Sequence, residues 1–180
     1  MFVGNRLATP NDVQQGAEGV GPIIGDRLHA RFDMEAGVPA YFDSIREAGV
    51  TAANFGVQLI GTKGVIDLRI DTEPLAHFVP GNPHLATAEP RTWITITSAG
   101  IGKPETISTL KTEVANHVLA GRDLLAAIQE DRAPLCSAED GRVTVEMISA
   151  VFASHRRGGA RVTLPLEERG HPLAGWHSEG

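Results

Sequence analysis

The sequence predicts an α+β fold, with an open, mainly antiparallel β-sheet and two long C-terminal helices packed on one face. Two observations lead to this class. Apolar and polar residues alternate in consecutive segments between residues 27 and 97, and no helical pattern separates these segments. After about residue 106 the apolar period lengthens to that of a helix. Strands in succession favour antiparallel hairpins, and helices gathered near the end favour a layer on one side of the sheet.

The first predicted elements are a short helix and two strands. Thr9 suits an N-cap, Pro10 suits the first helical position, and Gly16 would end a helix that is short at best. Residues 27–34 alternate apolar and polar side chains, as a strand with one buried face requires. The segment VPAYFDSI, residues 38–45, predicts the next strand.

The best predicted hairpin lies in AANFGVQLIGTKGVIDLRID, residues 52–71. The glycines of GTKG permit the positive φ angles of a tight reversal between two β-rich runs. The segments LAHFVP and TWITITS, residues 75–80 and 92–98, predict two further strands with a loop between them. Neither face of this sheet is plainly polar, because Ile60 lies near Gln58. We therefore expect another surface, a partner subunit or a further domain, to cover it.

The helical part of the sequence begins near Thr106, and apolar spacing predicts one long amphipathic helix ending before Pro134. A second helix follows, with Ser137 and Asp140 approximating a capping box and two glycines after residue 157 ending it. The segment ARVTLPL, residues 160–166, alternates as a last strand. Its proline removes one ladder donor, which favours an edge position.

Composition bounds the possible functions. The 180 residues fit a single domain, predicted here as residues 1–180. A formal net charge of −6 does not indicate the excess of positive charge that binding to nucleic acid or to an anionic membrane requires. We expect no spanning helix and no signal peptide, because no apolar run reaches about 20 residues and the N-terminus lacks a charged-then-apolar layout. One cysteine allows no internal disulfide and fits a cytoplasmic protein.

Several motifs resemble functional sites without the context that such sites require. GVGPIIG, residues 19–25, neither follows a strand nor opens a helix, and its proline removes an amide that a pyrophosphate would need. We therefore interpret it as a lead-in to the first long strand. Cys136 precedes a helix start, where a thiol can become nucleophilic, but a small buried filler residue is the commoner role and the favoured interpretation. Ser98 lacks the G-x-S-x-G elbow, so we interpret it as a strand end.

The seven histidines show no metal-ligand spacing. His117 and His155 fall on or beside apolar helix stripes, which is typical of hydrogen-bonded core or interface histidines. His171 and His177 lie in the tail. We expect no metal site in this chain.

Three segments together resemble the C-terminal half of the glucose-fructose oxidoreductase / inositol dehydrogenase (Gfo/Idh/MocA) family. They are LIGTKGVIDLR at 59–69, the run from RDLLAAIQED to ARVTLPL at 122–166, and ERGHPL at 168–173. The resemblance implies an open sheet that receives a sugar, cyclitol or related polyol beside NAD(P), and that pairs with another subunit's sheet. In such enzymes the cofactor carries the hydride chemistry, while the protein orients the substrate and supplies an acid-base group.

The sequence departs from that family at the motifs that bind the family's cofactor and carry its catalysis. We find no counterpart of the glycine-rich fingerprint of the Rossmann domain, of the E-K-P motif, or of the Asp and His pair on an early helix. Lys103 precedes a proline but has no glutamate before it, so no catalytic role is transferred. We therefore expect this chain alone to bind no cofactor and to need a missing or separate Rossmann domain. Arg169 and His171 are the pocket candidates, although a docked, solvated tail is the favoured interpretation for both.

Two functional hypotheses follow. In the first, the chain is the substrate-side and oligomerisation domain of an NAD(P)-dependent oxidoreductase, inactive alone and self-associating through the sheet face. In the second, it is a free-standing, non-catalytic interaction module that kept this fold. A metal-dependent hydrolase is a third, less favoured class.

Overall fold

The computed structural model describes residues 1–46, 55–70 and 72–176. The strands are β1 (Phe2–Val3), β2 (Arg6–Leu7), β3 (Gln14–Gln15), β4 (Pro22–Ile23), β5 (Arg27–Asp33), β6 (Pro39–Ile45), β7 (Gly56–Gly61), β8 (Gly64–Arg69), β9 (Ala76–Pro80), β10 (Ile94–Thr97) and β11 (Gly100–Ile101). The α-helices are α1 (Leu110–Ala115), α2 (Val118–Glu130) and α3 (Ala138–Arg156). Antiparallel sheets with separate helices confirm the α+β class.

The chain divides into two compact units, Met1–Ala48 with Cys136–Gly180, and Gly49–Leu135. The first contains a four-stranded sheet in the order β2-β1-β5-β6, the small β3-β4 pair and helix α3. The second contains a five-stranded sheet in the order β11-β10-β9-β8-β7, with α1 and α2. A single domain over residues 1–180 stays a prediction.

The core of the first unit forms where α3 meets the N-terminal segment and the tail. Its buried residues and the apolar residues packed against them are Met1, Ala8, Ile24 and Leu173, with Val3, Val13, Leu28, Val151, Phe152 and Trp176. Val3 and Leu28 belong to the four-stranded sheet, and Val151 and Phe152 belong to α3. The apolar stripe of α3 therefore packs toward one face of that sheet, as its helical spacing requires.

The ends of α3 agree with the sequence. The Ser137 hydroxyl accepts a hydrogen bond from the Asp140 N–H at 3.2 Å, and the Asp140 carboxylate accepts from the Ser137 N–H at 2.8 Å. This reciprocal pair satisfies amides that the first helical turn leaves free. At the other end the Gly159 N–H donates to the Ser154 carbonyl at 2.8 Å, with φ of 87° at that glycine. A glycine takes this left-handed conformation at low cost.

The long helix predicted from Thr106 to Pro134 is wrong in one respect, because it is broken into α1 and α2. The break occurs at His117, whose φ of 58° is left-handed. Apolar residues continue at helical spacing on both sides of it, so periodicity alone did not reveal the interruption. Histidine is among the residues that tolerate this conformation better than most.

The last predicted strand is also wrong: residues 160–166, all of them described, form no strand. The Leu166 N–H donates to the Glu146 carboxylate of α3 at 2.7 Å instead of to a neighbouring strand. Alternation of apolar residues marks an extended segment, but it does not supply a ladder partner. Across the described ranges, no helix is long and apolar enough to cross a membrane.

Candidate functional site

The five-stranded sheet has two chemically different faces, which its register defines. Leu59, Ile66 and Phe78 are partners on three neighbouring strands, and Ile94 continues that row on β10. A second row on the same face joins Val57, Leu68, Ala76, Ile96 and Ile101. Partner side chains in antiparallel strands lie on one face. This apolar face, defined by those two rows, carries no charged side chain within either row.

The apolar face is open at its β7 edge. Val57 is 51% exposed and Leu59 is 55% exposed, and Ile101 at the other edge is 56% exposed. A shallow depression lies beside the hairpin turn, lined by Leu59, Gly61, Thr62, Lys63, Gly64, Ile66 and Phe78. A Cβ on Gly64 would collide with the Phe78 ring, so this glycine lets the ring approach the turn closely. Contiguous exposed apolar surface of this kind is typical of an interaction site.

The opposite face is mixed. Val65 and Val79 are register partners on it, and they are buried at 8% and 7% exposure. Next to them runs a polar row of one side chain from each of four neighbouring strands, Gln58, Asp67, His77 and Thr95. The Gln58 amide lies 3.5 Å from the Asp67 carboxylate. The sequence carries no local signal for this row, because the row exists only once four strands are in register.

Arg169, the first pocket candidate, lies on the surface beside α3. Its guanidinium is 3.4 Å from Glu146, and its side chain is 70% exposed. Glu146 is 10% exposed and also pairs with Arg142 at 2.9 Å. The hydrogen bond from the Leu166 N–H is the largest cause that lowers the pKa of Glu146, and the Arg142 guanidinium adds to it. Arg169 thus helps to hold the tail against the helix.

His171, the second candidate, packs against different neighbours. Its ring lies 5.6 Å from the Phe152 ring between centroids, and its Nδ1 accepts from the Leu173 N–H at 3.2 Å. A Cβ on Gly21 would lie 3.4 Å from its Cδ2 atom. These contacts are those of a docked tail. A pocket role for Arg169 and His171 stays a prediction.

The glycine-rich stretch 19–25 does not have the geometry of a dinucleotide cradle. Its Pro22–Ile23 segment forms β4, which pairs antiparallel with Gln14–Gln15. A cradle needs a strand, a turn and a helix whose free amides meet the phosphates, in a parallel βαβ unit. Every strand pair among the described residues is antiparallel. The described residues therefore do not form a cradle of this kind.

Ser98 lies at a strand end, as its sequence context predicted. Its hydroxyl and its N–H both donate to the Glu105 carboxylate. The amides of Thr106 and Ile107 donate to the same carboxylate at 2.8 Å each. The Ser98 hydroxyl is the largest cause of a Glu105 pKa lowered to about 2. The Glu105 carboxylate therefore holds the loop after β11 in place by accepting these four hydrogen bonds.

His155 is a hydrogen-bonded histidine near the core, as its place on the α3 stripe predicted. Its Nε2 lies 2.9 Å from the Ala8 carbonyl oxygen, and its ring packs edge-on against Trp176. Burial is the largest cause of a pKa below the ordinary histidine value. Cys136 is exposed just before the Ser137 cap, so its interpretation as a buried filler is wrong. His177 lies outside the described residues. Within the described ranges, no three His, Cys, Asp or Glu side chains converge to hold a metal ion.

Comparison with known proteins identifies one family. The family model described as the oxidoreductase family, C-terminal alpha/beta domain, of Gfo/Idh/MocA proteins matches residues 10–164. No curated protein and no solved structure matches the chain. The matched span includes both long hairpins and the three α-helices of the described residues.

Proposed function

Because the chain belongs to the Gfo/Idh/MocA oxidoreductase family through its C-terminal α/β domain, we propose that it is the substrate-side and oligomerisation domain of an NAD(P)-dependent enzyme. Its substrate is a sugar, a cyclitol or a related polyol. The observation that carries the proposal is the family match over residues 10–164. Its single cysteine is compatible with work in the cytoplasm.

The oligomerisation role is supported by the unequal faces of the five-stranded sheet. On the central strands β8 and β9 the mixed face has the buried pair Val65 and Val79, whereas Ile66 and Phe78 on the apolar face are half-buried. On the edge strand β7 both faces are exposed. A second copy of the apolar face is its natural cover, because a two-fold axis brings identical patches together. Two apolar faces in contact bury their side chains from water without stranding a charge.

The substrate role divides the chemistry between this domain and a cofactor. A nicotinamide held by a Rossmann domain outside the described fold would supply the hydride chemistry. The residues of this chain bind and orient the hydroxyl groups and limit the access of water. The domain alone therefore performs no hydride transfer.

Two measurements on the purified chain test this proposal. Incubation with NAD⁺ or NADP⁺ and a panel of hexoses and inositols should give no rise in absorbance at the NAD(P)H wavelength. Sedimentation velocity over a range of concentrations should show self-association. Turnover in this assay, with no other protein added, would contradict the assignment of cofactor binding to another segment. A strictly monomeric chain would remove the oligomerisation role.

A further inference from the structure

We propose that the open edge of the four-stranded sheet pairs with the same edge of a second copy of this chain, so that the two sheets join across a two-fold axis. The edge is formed by β6, Pro39–Ile45, which ends the strand order β2-β1-β5-β6. We call the outward backbone groups of this strand the β6 edge. It belongs to the first compact unit, whereas the apolar face belongs to the second, and the inference does not depend on the proposed enzyme function.

The hydrogen bonds between β5 and β6 define which backbone groups point outward. The Arg46 N–H donates to the Asp26 carbonyl at 2.8 Å, in register with the β5–β6 ladder. Hydrogen-bonded pairs alternate with the other pairs along an antiparallel ladder, so even-numbered residues of β6 turn their backbone groups toward β5. Tyr41 and Asp43 therefore direct their N–H and carbonyl groups outward. Among the described strands, these groups have no backbone partner.

Strand β6 lacks the features by which exposed edge strands usually avoid pairing. Such strands are typically short or bulged, or they carry lysine or an interior proline. Strand β6 runs for seven residues in continuous register with β5, contains no lysine, and has its proline at the first position. Tyr41 is 72% exposed and Phe42 is 52% exposed. A long, regular edge with exposed apolar side chains is a template for another strand.

One register suits two copies of β6. When Phe42 faces Phe42 across a two-fold axis, all seven residues overlap, and Tyr41 of each copy faces Asp43 of the other with their outward groups in contact. A shift in one direction would bring the two Asp43 carboxylates opposite each other, which is unfavourable. A shift in the other direction would shorten the overlap and place Pro39, which has no N–H, opposite Asp43. The strand is therefore complementary to itself in a single register.

The side chains complement each other on both faces of the joined sheet. On one face, the register would place Tyr41, which faces Arg31 in its own copy, beside the His29 and Asp43 pair of the second copy. His29 Nδ1 lies 2.6 Å from Asp43 Oδ1. Among the described residues, Asp43 Oδ2 has no hydrogen-bond partner, so it can accept from the second copy's Tyr41 phenol. On the opposite face, the two Phe42 rings bury apolar surface against each other.

The direct test is disulfide trapping at Phe42. A pair that is not hydrogen-bonded places its facing Cα atoms about 4.5 Å apart, which is within the range of a disulfide. In a Cys136→Ser background, which removes the single cysteine of the chain, we expect Phe42→Cys to form a covalent dimer in a glutathione redox buffer. Ser44→Cys is the matched control on the same face. Its two copies would lie about 14 Å apart along the strands, so it should form at least about tenfold less covalent dimer.

A charge reversal at Tyr41 provides a second measurement if Phe42→Cys does not fold. Tyr41→Asp would place a negative charge opposite Asp43 of the second copy, and Tyr41→Lys would place a positive charge there. Because the two-fold axis repeats this pair, the dissociation constant should be at least about tenfold higher for the aspartate variant. Within one copy Tyr41 faces Arg31, so the same substitutions should change the stability of the single chain in the opposite order. Ser44→Asp and Ser44→Lys, which would face Ala40, measure the effect of net charge alone.

Three outcomes would overturn the inference. They are equal covalent dimer from Phe42→Cys and Ser44→Cys, equal dissociation constants for Tyr41→Asp and Tyr41→Lys, and slow hydrogen exchange at the Tyr41 and Asp43 amides in dilute, monomeric samples. The last result would mean that these amides are already bonded within one chain.

The β6 edge and the apolar face can be tested separately. A Leu59→Ala background weakens contact through the apolar face, so the Tyr41 variants measured in it report on the β6 edge. Loss of trapping at Phe42, with association still sensitive to Leu59→Ala, would contradict this inference alone. Trapping that persists while Leu59→Ala has no effect would contradict only the role proposed for the apolar face.

Discussion

Leu59 and Ile60 are adjacent on β7 and similarly exposed, at 55% and 60%, yet they lie on opposite faces of the sheet. If a second copy covers the apolar face, Leu59→Ala weakens self-association. Ile60→Ala removes a comparable amount of apolar surface from the other face and leaves self-association unchanged. The two variants are therefore a matched test of which face associates.

The magnitude follows from the exposed fraction of Leu59. Complete burial of a leucine side chain stabilises by about 2 kcal/mol, so the exposed half contributes about 1 kcal/mol when a partner covers it. A two-fold interface contains the residue twice, which makes the loss about 2 kcal/mol per dimer. That loss corresponds to a roughly thirtyfold rise in the dissociation constant.

Sedimentation equilibrium at several loading concentrations measures that constant for the unaltered chain and both variants. Circular dichroism on each sample establishes that the fold is retained. The reasoning is refuted if Ile60→Ala weakens association as much as Leu59→Ala, or if Leu59→Ala has no effect on a chain that does associate. Either result would mean that association is not specific to the apolar face.

Three further predictions concern the stability of the fold. Ser137→Ala removes the N-cap of α3 and should lower the free energy of unfolding by about 1 kcal/mol in a denaturant titration, whereas Ser149→Ala, in the middle of the helix, should have little effect. Glu105 has a folded pKa of about 2, below its unfolded value of 4.5, so its contribution to stability is present above that unfolded value and is lost as pH falls toward 2. Glu105→Gln should therefore make the free energy of unfolding less dependent on pH at acid pH. The same acid dependence in the variant would contradict this role of the Glu105 carboxylate. Burial lowers the folded pKa of His155 below 6.5, so the unfolded state takes up the proton first and stability falls as pH drops below that value. His155→Gln should remove this fall in melting temperature between neutral and acid pH. A fall of the same size in the variant would contradict the prediction.

The elements that could be predicted from sequence are those whose signals are local. Ser137 and Asp140 cap the helix that follows them, and the GTKG turn joins two strands within one short segment. Each needs only nearby residues to satisfy its backbone groups. The break at His117 was missed because apolar spacing passes through it without interruption.

The candidate site could not be predicted, because its residues meet only through long-range register. Gln58 and Thr95 are 37 positions apart in the sequence, and three strand pairings bring them into one row. A polar residue in an alternating strand carries no mark of its cross-strand partners. The same limit explains residues 160–166, whose alternation was real although they pair with no strand among the described residues.

The central claim is that this domain presents a substrate to a nicotinamide that another segment holds. Calorimetric titration of the purified chain with NADH tests it most directly. We expect no heat of binding beyond dilution, because the described strands are all antiparallel and residues 19–25 form part of a hairpin. Saturable binding with a dissociation constant of about a micromolar, roughly −8 kcal/mol, would contradict the claim.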